Sequence, residues 1–362
     1  MGADIVRNGR RGLAFACAIV VSVAMVACGS APAAVSSPAS AATAGTAKAS
    51  ATAAPSGLAA LYAAAKQEGS IVWYESSPPA QADQVIRAFN ATYPDISIKH
   101  VVLTGSQPAT RIITESAGGG KTGDVATAGI DAVAELEQRH LIQDVDWTSL
   151  GVAKDAAIEN LAVQTADTPF VLLYNTKLVK ESDVPTSWQA LTDPKWKGKI
   201  AAWVQPYLPA ELTFAWGMQK TDAWVKAFMA NKPALLQSTF PVSSDVAAGE
   251  YPLGLPVLHT TFPPADAGAP IKYTFLDPTP NEILASWVPT NAAHPNAGKL
   301  FAAWLASPVG NVAYENATGR GSRSVAGTRY HKLLAGLKLS EPQWKDAPTL
   351  LTDLKKLSQD WK

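Results

Sequence analysis

The sequence alternates between stretches with helical and with strand-like periodicity, and this alternation constrains the fold more than any other feature. From residue 57, "GLAALYAAAKQEG" spaces its apolar residues as a helix does and stops at Gly69, and the short β-rich run "SIVWYE" follows. "PAQADQVIRAFNATYP", "ISIKHVVL" and a predicted helix from Gln107 to Ala117 repeat the pattern. Such alternation predicts an α/β lobe in which ligand contacts follow the strands.

A glycine-rich stretch, "ESAGGGKTGDVATAG", connects this third helix to the next predicted strand. A phosphate-binding P-loop would need a glycine at position 115, but Glu115 stands there and would put a carboxylate where the anion binds. The order is also reversed, since the motif lies between a strand and the helix that follows it. We therefore interpret the three glycines as a helix stop and "GDVATAG" as a strand, and we expect no bound nucleotide.

The first residues have the pattern of a targeting segment. Arg7, Arg10 and Arg11 precede an apolar run of about fifteen residues that ends in "MVACGS", which is too short to span a bilayer. The ending resembles the lipobox of bacterial lipoproteins, which implies removal of residues 1–27 and lipidation of Cys28. An ordinary cleaved signal with a cysteine placed there by chance is the alternative. The only other cysteine, Cys17, would be cut away, so no disulfide is expected.

Residues 28–57 are expected to form a tether, because they offer small residues and prolines but no large apolar side chain. The remaining three hundred or so residues are enough for two lobes. Thirty basic and thirty acidic residues give a net charge of zero, which argues against a nucleic-acid partner.

The later part of the chain continues with shorter elements. "PFVLLYN", "LQSTFP", "YPLGLPVL" and "ILASWVP" are predicted strands, and a helix from Glu211 to Ala230 is predicted to break near Gly217. "SSDVAAGE" is predicted to be a short helix with Ser243 or Ser244 as its N-cap.

Seven phrases in order resemble the bacterial extracellular solute-binding proteins of ABC importers, in the branch of ferric-iron and small-organic-solute receptors. They are "LYAAAKQEGSIVWYESSP", "AFNATYPDISI", "RIITESAGGGKTGDV", "LLYNTKLV", "SWQALTDPKWKGKI", "VAAGEYPLGL" and "HPNAGKLFAAWLASPVG". The resemblance implies a type II periplasmic-binding-protein-like α/β fold, with two lobes joined by two crossing strands and a solute in the cleft between them. It also implies a monomer that delivers its solute to membrane permease subunits.

On this resemblance, residues 58–165 and 265–315 would form the first lobe, and residues 166–264 and 316–362 the second. "TPFVLLYNTK" would be one crossing, and the region after "LGLPVL" would lie near the other. The lipid on Cys28 would hold the protein at the cell membrane, on the extracellular or periplasmic side.

Ligand contacts are predicted where strands end, since those positions face the cleft. A capping or turn role remains an alternative for each residue taken singly. The predicted set is Ser76, Ser77, Ser106, Thr127, Tyr174, Trp203, Gln205, Tyr207, Ser244, His259 and Trp287. A helix N-terminus at Ser243 and Ser244 could bind an anionic group of the ligand. Arg111 could bind the same group instead, but a structural ion pair would explain this arginine equally well.

Ferric iron is the first alternative to an organic solute. Ferric receptors of this branch place adjacent tyrosines after the strand that matches "YPLGL", because phenolates suit a hard cation. This chain has "LPVLH" there, and none of its nine tyrosines adjoins another. A lone His259 without a paired histidine is not a metal signature, so neither a metal nor a cofactor is predicted.

A secreted hydrolase is the second alternative, from a different class. The G-x-S-x-G elbow of α/β-hydrolases is absent, and "GRGSRS" has its serine at the wrong spacing. Glu75, directly after a strand, is the most suspicious carboxylate, but a hydrogen bond inside its lobe or a rim contact explains it without catalysis. We therefore predict a binding protein and no enzyme activity.

Overall fold

The computed structural model describes residues 57–362. The predicted leader (1–27), Cys28 and the tether up to residue 56 lie outside the described residues. Gly57, predicted to end the tether, is instead the first residue of a helix.

Twelve helices are present in the described residues. They are α1 (Gly57–Glu68), α2 (Pro79–Thr92), α3 (Gln107–Ala117), α4 (Ile130–Glu137), α5 (Tyr207–Trp216), α6 (Met218–Met229), α7 (Thr239–Ala248), α8 (Phe262–Asp266), α9 (Pro295–Ala306), α10 (Pro308–Thr318), α11 (Arg329–Leu333) and α12 (Ala347–Leu357).

Twelve strands accompany them in the same part of the chain. They are β1 (Ser70–Glu75), β2 (Ser97–Val102), β3 (Val125–Gly129), β4 (Ala157–Ile158), β5 (Ala162–Pro169), β6 (Leu172–Asn175), β7 (Ile200–Trp203), β8 (Ala234–Leu236), β9 (Leu253–Leu255), β10 (Ile271–Thr274), β11 (Thr279–Trp287) and β12 (Leu339–Ser340).

The strands form two sheets, which confirms the two-lobed α/β prediction. The first sheet has the order β2-β1-β3-β11-β5-β4, with β12 paired to β11. Strands β1, β2 and β3 are parallel, while β11 runs antiparallel between β3 and β5. The second sheet has the order β10-β6-β9-β7-β8, with β7, β8 and β9 parallel. In both sheets the parallel strands end at the same edge, where polar side chains can collect.

The chain crosses between the sheets twice. It leaves the first sheet at Pro169 and joins the second at Leu172, inside the predicted crossing. It returns between Thr274 and Thr279, because β10 pairs with β6 in the second sheet and β11 lies in the first. This differs from the predicted lobe division, which assigned residues 265–315 to the first lobe. Proline-rich sequence between β9 and β10 gave no sign that another strand of the second sheet would follow.

Helix α10 also departs from the predicted division, since its last residues lie in the range given to the second lobe, yet it packs on α2 and α9. Helix α12 packs on α4 of the first lobe as well as on α5 and α6 of the second. The C-terminal helix therefore ties the two lobes together and belongs to neither alone.

Aromatic packing stabilises the outer face of the first sheet. Phe301 of α9 is fully buried and its ring lies 5.0 Å from those of Trp73 and Phe89, in edge-to-face geometry with both. The amphipathic spacing of α1, α2 and α9 brings their apolar residues to this face. This packing holds the first sheet against its helices and so fixes the positions of the strand ends.

We predict that Phe301→Ala lowers the free energy of unfolding by about 3–5 kcal/mol, because a large buried ring is replaced by a cavity. Denaturant unfolding followed by tryptophan fluorescence measures the change. Val309→Ala is the control, since Val309 is 71% exposed and its truncation should change stability by less than about 0.5 kcal/mol. Equal effects of the two substitutions would contradict this account of the core.

Candidate functional site

A cleft lies between the two sheets, on the side where their parallel strands end. The space between its lining atoms, open solvent included, is about 620 Å³. Both sheets contribute to its lining. The lining residues are Ser76, Leu103, Thr104, Gly105, Thr127, Ala128, Gly129, Thr168, Trp203, Gln237, Ser238, Thr239, Phe240, Val257, His259, Glu282, Leu284 and Arg320.

Arg320 is the most highly connected polar side chain of this cleft, and it is buried. Its Nη1 pairs with Glu75 Oε1 and also donates to Ser77 Oγ at 3.1 Å, while its Nη2 donates to Ser76 Oγ at 3.1 Å. Its Nε donates to His259 Nε2 at 3.1 Å. Arg320 thus joins the end of β1 in the first sheet to the segment after β9 in the second.

The groups around Arg320 have protonation states that suit its positive charge. Burial by itself would raise the pKa of Glu75, but the Arg320 guanidinium, the His100 ring and the Ser77 amide lower the pKa to about 2. Burial and the same guanidinium hold the pKa of His259 well below its usual range. His259 is therefore neutral, with its proton on Nδ1, and Glu75 is ionised.

Sequence reasoning missed Arg320, although its surroundings carry a signal. Glycines flank it in "GRG", and Gly319 ends α10 with a φ of +75°. A Cβ at Gly319 would lie 3.0 Å from the Phe262 ring, and one at Gly321 would lie 2.6 Å from Glu315 Oε1. The two glycines let the backbone approach its neighbours closely and turn the arginine into the cleft. Glu75, predicted to have a role inside its lobe, has that role through this arginine.

A second group of ionisable side chains lies at the floor of the cleft, and it has no basic partner. Glu282 of β11 lines the cleft, Asp131 of α4 lies beside it, and both are close enough to raise the pKa of Glu211 on α5. Among residues 57–362, no Lys, Arg or His nitrogen comes within 4.0 Å of these three carboxylates. Three carboxyl groups thus lie close together without a basic side chain of the described residues in contact with them.

Hydrogen bonds in this group are few. Tyr207 donates from its hydroxyl to Asp131 Oδ2 at 2.9 Å, and Thr168 donates to Glu282 Oε2 at 3.3 Å. In the described part of the chain, Asp131 Oδ1 and both carboxylate oxygens of Glu211 are buried without a partner. Burial, followed by the Asp131 charge, raises the pKa of Glu282 to about 8. Burial likewise raises the pKa of Asp131 to about 6 and that of Glu211 well above its ordinary value.

Seven of the predicted ligand residues lie in the cleft or touch its lining. Ser76, Thr127, Trp203 and His259 line it. Ser77 accepts a hydrogen bond from Arg320, and Tyr207 stacks on Trp203 with ring centroids 5.1 Å apart. The seventh is Gln205, whose side-chain amide lies against the Cα of Gly105, so that the two sheets meet there.

The other four predicted residues lie elsewhere. Tyr174 is buried in the middle of the second sheet, where it pairs with Lys272 and Leu253. Trp287 is fully buried in the core at the end of β11. Both were placed by strand order alone, and their side chains belong to the apolar faces of the sheets. Ser106 is exposed at the start of α3 and Ser244 is exposed within α7.

The predicted anion-binding helix terminus lies five to six residues too late in the sequence. Helix α7 begins at Thr239, and Ser238 is its N-cap, with its hydroxyl accepting from Phe240 N at 3.3 Å. The prediction extended a strand through "LQSTFP" because its β-branched and aromatic residues suit a strand. It is Ser238, Thr239 and Phe240 that line the cleft, whereas Ser243 is buried and bonds to Thr260.

The remaining charged candidate, Arg111, lies outside the cleft and pairs with Glu115 at 2.8 Å on α3. Among the described residues, no group of three or more His, Cys, Asp or Glu side chains is arranged to hold a metal ion. No helix in that same part of the chain is both long enough and apolar enough to cross a membrane.

Residues 84–325 match the family model of the bacterial extracellular solute-binding proteins. The chain belongs to this family. Solute-binding proteins of ABC importers deliver their ligands to a membrane permease, and this solute-binding protein is a receptor of that kind. None of the curated proteins matches it.

Solved structures share the fold of this solute-binding protein. Iron-bound HitA from Pseudomonas aeruginosa superposes with a TM-score of 0.69 at 19% identity, over 80% of this chain and 99% of HitA. AfuA from Actinobacillus pleuropneumoniae, with fructose-6-phosphate bound, gives 0.69 at 20% identity, over 81% and 97%. A substrate-binding protein of an Agrobacterium tumefaciens ABC transporter gives 0.70 at 19% identity, over 81% and 93%. The TM-scores establish the type II fold, and the low identities leave the solute open.

We predict that Arg320→Gln lowers the free energy of unfolding by about 3–5 kcal/mol, because it leaves the Glu75 carboxylate buried without its cation. The double variant Arg320→Gln/Glu75→Gln should recover part of this loss, since the buried charge is then gone. Urea unfolding of the single and double variants measures both values. A double variant less stable than Arg320→Gln would show that the ion pair is not the source of the loss.

A pH dependence of stability follows from Glu282. Because folding raises its pKa from 4.5 to about 8, the folded state retains a proton that the unfolded state releases. The stabilisation is complete below pH 4.5 and is lost as the pH rises toward 8, with a slope of about 1.4 kcal/mol per pH unit. Glu282→Gln should flatten this slope in urea titrations, whereas the exposed Glu137→Gln should leave it unchanged. An unaltered slope in Glu282→Gln would contradict the shifted pKa.

Proposed function

We propose that this receptor captures a small organic solute in the cleft between its two sheets. The observation that carries the proposal is the composition of the lining: aromatic and aliphatic side chains stand beside a few fixed polar groups from both sheets. Such a lining suits an organic ligand with an apolar body and polar handles. The apolar members are Leu103, Trp203, Phe240, Val257 and Leu284.

Ferric iron is the competing solute, because some proteins of this fold, such as HitA, are iron-bound. Two observations favour the organic solute. No tyrosine is among the residues that line the cleft, and Tyr207, which stacks on the lining Trp203, is buried with its hydroxyl on Asp131. His259, the lining histidine, uses Nε2 to accept from Arg320. Neither group is free to coordinate a metal.

The way the receptor works follows from its two crossings. Contacts to one solute from both sheets favour the closed arrangement, and the short crossing segments act as the hinge. The closed receptor then docks on its permease as a monomer, held at the outer face of the membrane by a lipid on Cys28. The two lobes would follow the predicted division, 58–165 with 265–315 and 166–264 with 316–362, except that β10 belongs with the second lobe and α10 and β12 belong with the first. Turnover of the solute is no part of this function.

A thermal-shift screen of residues 57–362 tests the proposal, with ferric iron, amino acids, aromatic acids, amines, phosphonates, sugars and vitamins as ligands. An organic ligand at about 100 times its Kd should stabilise the folded state by about 2.7 kcal/mol. Stabilisation by ferric iron alone would overturn the organic-solute proposal.

Trp203→Ala should weaken binding of the organic ligand about 10- to 100-fold, because a large aromatic contact in the lining is lost. Isothermal titration calorimetry gives the change. Trp216→Ala is the matched control, since Trp216 is a half-buried tryptophan of the same lobe that contacts Lys220 and lies outside the cleft. An equal loss in both variants would point to a general defect and not to the cleft.

A further inference from the structure

The floor of the cleft differs from the rest of its lining because its carboxyl groups have no basic side chain of the described residues in ion-pair contact. At the Arg320 end, the guanidinium and the Glu75 carboxylate offset each other, and four of the five guanidinium hydrogens have acceptors in Glu75, Ser76, Ser77 and His259. At the Glu282 end, no such pairing exists in the described residues. A buried carboxylate must find either a proton or a cation.

Glu282 is placed to meet a ligand. It is 8% exposed and lines the cleft, and its Oε1 receives no hydrogen bond from any described residue. Asp131 Oδ1 is a second unpartnered oxygen that points to the same place. Both oxygens converge over Gly129, where an added Cβ would lie 3.0 Å from Glu282 Oε1 and closer still to Asp131 Oδ1. Gly129 itself lines the cleft, so the space between the two oxygens adjoins the ligand cavity.

We propose that the solute is an organic cation, and that its ammonium group binds at Glu282 and Asp131 in exchange for a proton. This inference rests on the proposed function of the cleft and names the chemical class of its ligand. In the unliganded receptor Glu282 carries the proton. When the ammonium group arrives, Glu282 releases that proton to the solvent, and the carboxylate pairs with the cation, so charge is conserved in the cleft.

The groups that face Glu282 are consistent with such an exchange. Asp131 comes from α4, Tyr207 and Glu211 from α5, Thr168 from β5, and Arg320 from the segment after α10. Only Arg320 among them is basic, and its charge is offset by Glu75. Burial, and after it the Asp131 charge, disfavours the ionised form of Glu282 and raises its pKa, which is why an unliganded Glu282 holds a proton near neutral pH. A bound cation removes that penalty.

Aromatic surface completes the site. Trp203 and Phe240 line the cleft from the second sheet, and aromatic rings attract organic cations through their negative faces. Their presence favours an organic ammonium over a hydrated metal ion, for which hard oxygen ligands alone would serve.

The first experiment compares ligands of equal shape and different charge. Choline and its neutral isostere 3,3-dimethyl-1-butanol are titrated into residues 57–362 by calorimetry, together with primary amines, putrescine and organic phosphonates. Ammonium compounds should bind and the neutral isostere should bind at least about 30-fold more weakly, as expected when a buried charge loses its partner. Binding of neutral or anionic solutes, with every ammonium compound silent, would overturn this inference and leave the organic-solute proposal standing. Stabilisation by ferric iron alone in the thermal-shift screen would overturn both.

The second experiment measures the proton. Titrations at pH 6.5 in buffers of different ionisation enthalpy should give release of close to one proton for each bound cation, and affinity should rise about tenfold per pH unit until it levels off near pH 8. A quaternary ammonium is the suitable probe, because its own charge does not change with pH. Cation binding with no proton release would overturn the exchange.

Glu282→Gln provides the matched variant. It should weaken binding of the tightest ammonium compound about 100-fold and abolish proton release. Glu137→Gln, the same substitution at an exposed carboxylate of α4, should change neither. Asp131→Asn is the second variant, for use if Glu282→Gln does not fold, and should reduce affinity by a smaller factor. Circular dichroism establishes folding of each variant. Unchanged affinity in a folded Glu282→Gln protein would exclude Glu282 as the cation ligand.

Discussion

The buried contact of Arg320 with Glu75 and His259 is the interaction on which the cleft depends. A guanidinium in the protein interior requires acceptors for nearly all its hydrogens, and here they come from both sheets. The ends of β1 and of the segment after β9 are thereby fixed relative to α10. A single side chain sets the geometry of the cleft wall and at the same time keeps that wall electrically neutral.

The cleft is therefore asymmetric in charge. One end is a closed ion pair with little capacity left for a ligand, and the other is a set of acids whose pKa values burial raises. Tyr207 connects this second end to the second lobe, since it lies on α5 and donates to Asp131 on α4. A change in the protonation of Asp131 would affect both lobes, because Asp131 accepts the hydrogen bond from Tyr207 that joins them.

Sequence patterns predicted the parts of the fold that depend on local order. The bounds of α3 and the break between α5 and α6 at Gly217 were confirmed, because glycine punctuation and helical spacing fix them within the chain itself. Strand ends also led to Ser76, Thr127, Trp203 and His259. Long-range placement was not predictable in this way. Arg320 pairs with Glu75 across 245 positions, and its flanking glycines indicate a close backbone approach but not the partner of the side chain.

The placement of Tyr174 and Trp287 away from the cleft has a similar cause. The position of a residue on a strand does not show which face of the sheet other elements cover. Both side chains lie in the apolar core. The acids at Asp131, Glu211 and Glu282 were missed because carboxylates on α4, α5 and β11 are far apart in sequence and converge only through the packing of α5 on β11.

The contact between Gly105 and Gln205 has a consequence for the lifetime of the complex. With the glutamine amide against a bare Cα, one edge of the cleft is closed by atoms of the two lobes themselves. A solute cannot leave across that edge unless the lobes separate there, so hinge opening contributes to its dwell time together with the contacts of the lining. The receptor can then retain a solute of modest affinity until the lobes open. A permease that opens the lobes would control when the solute is released.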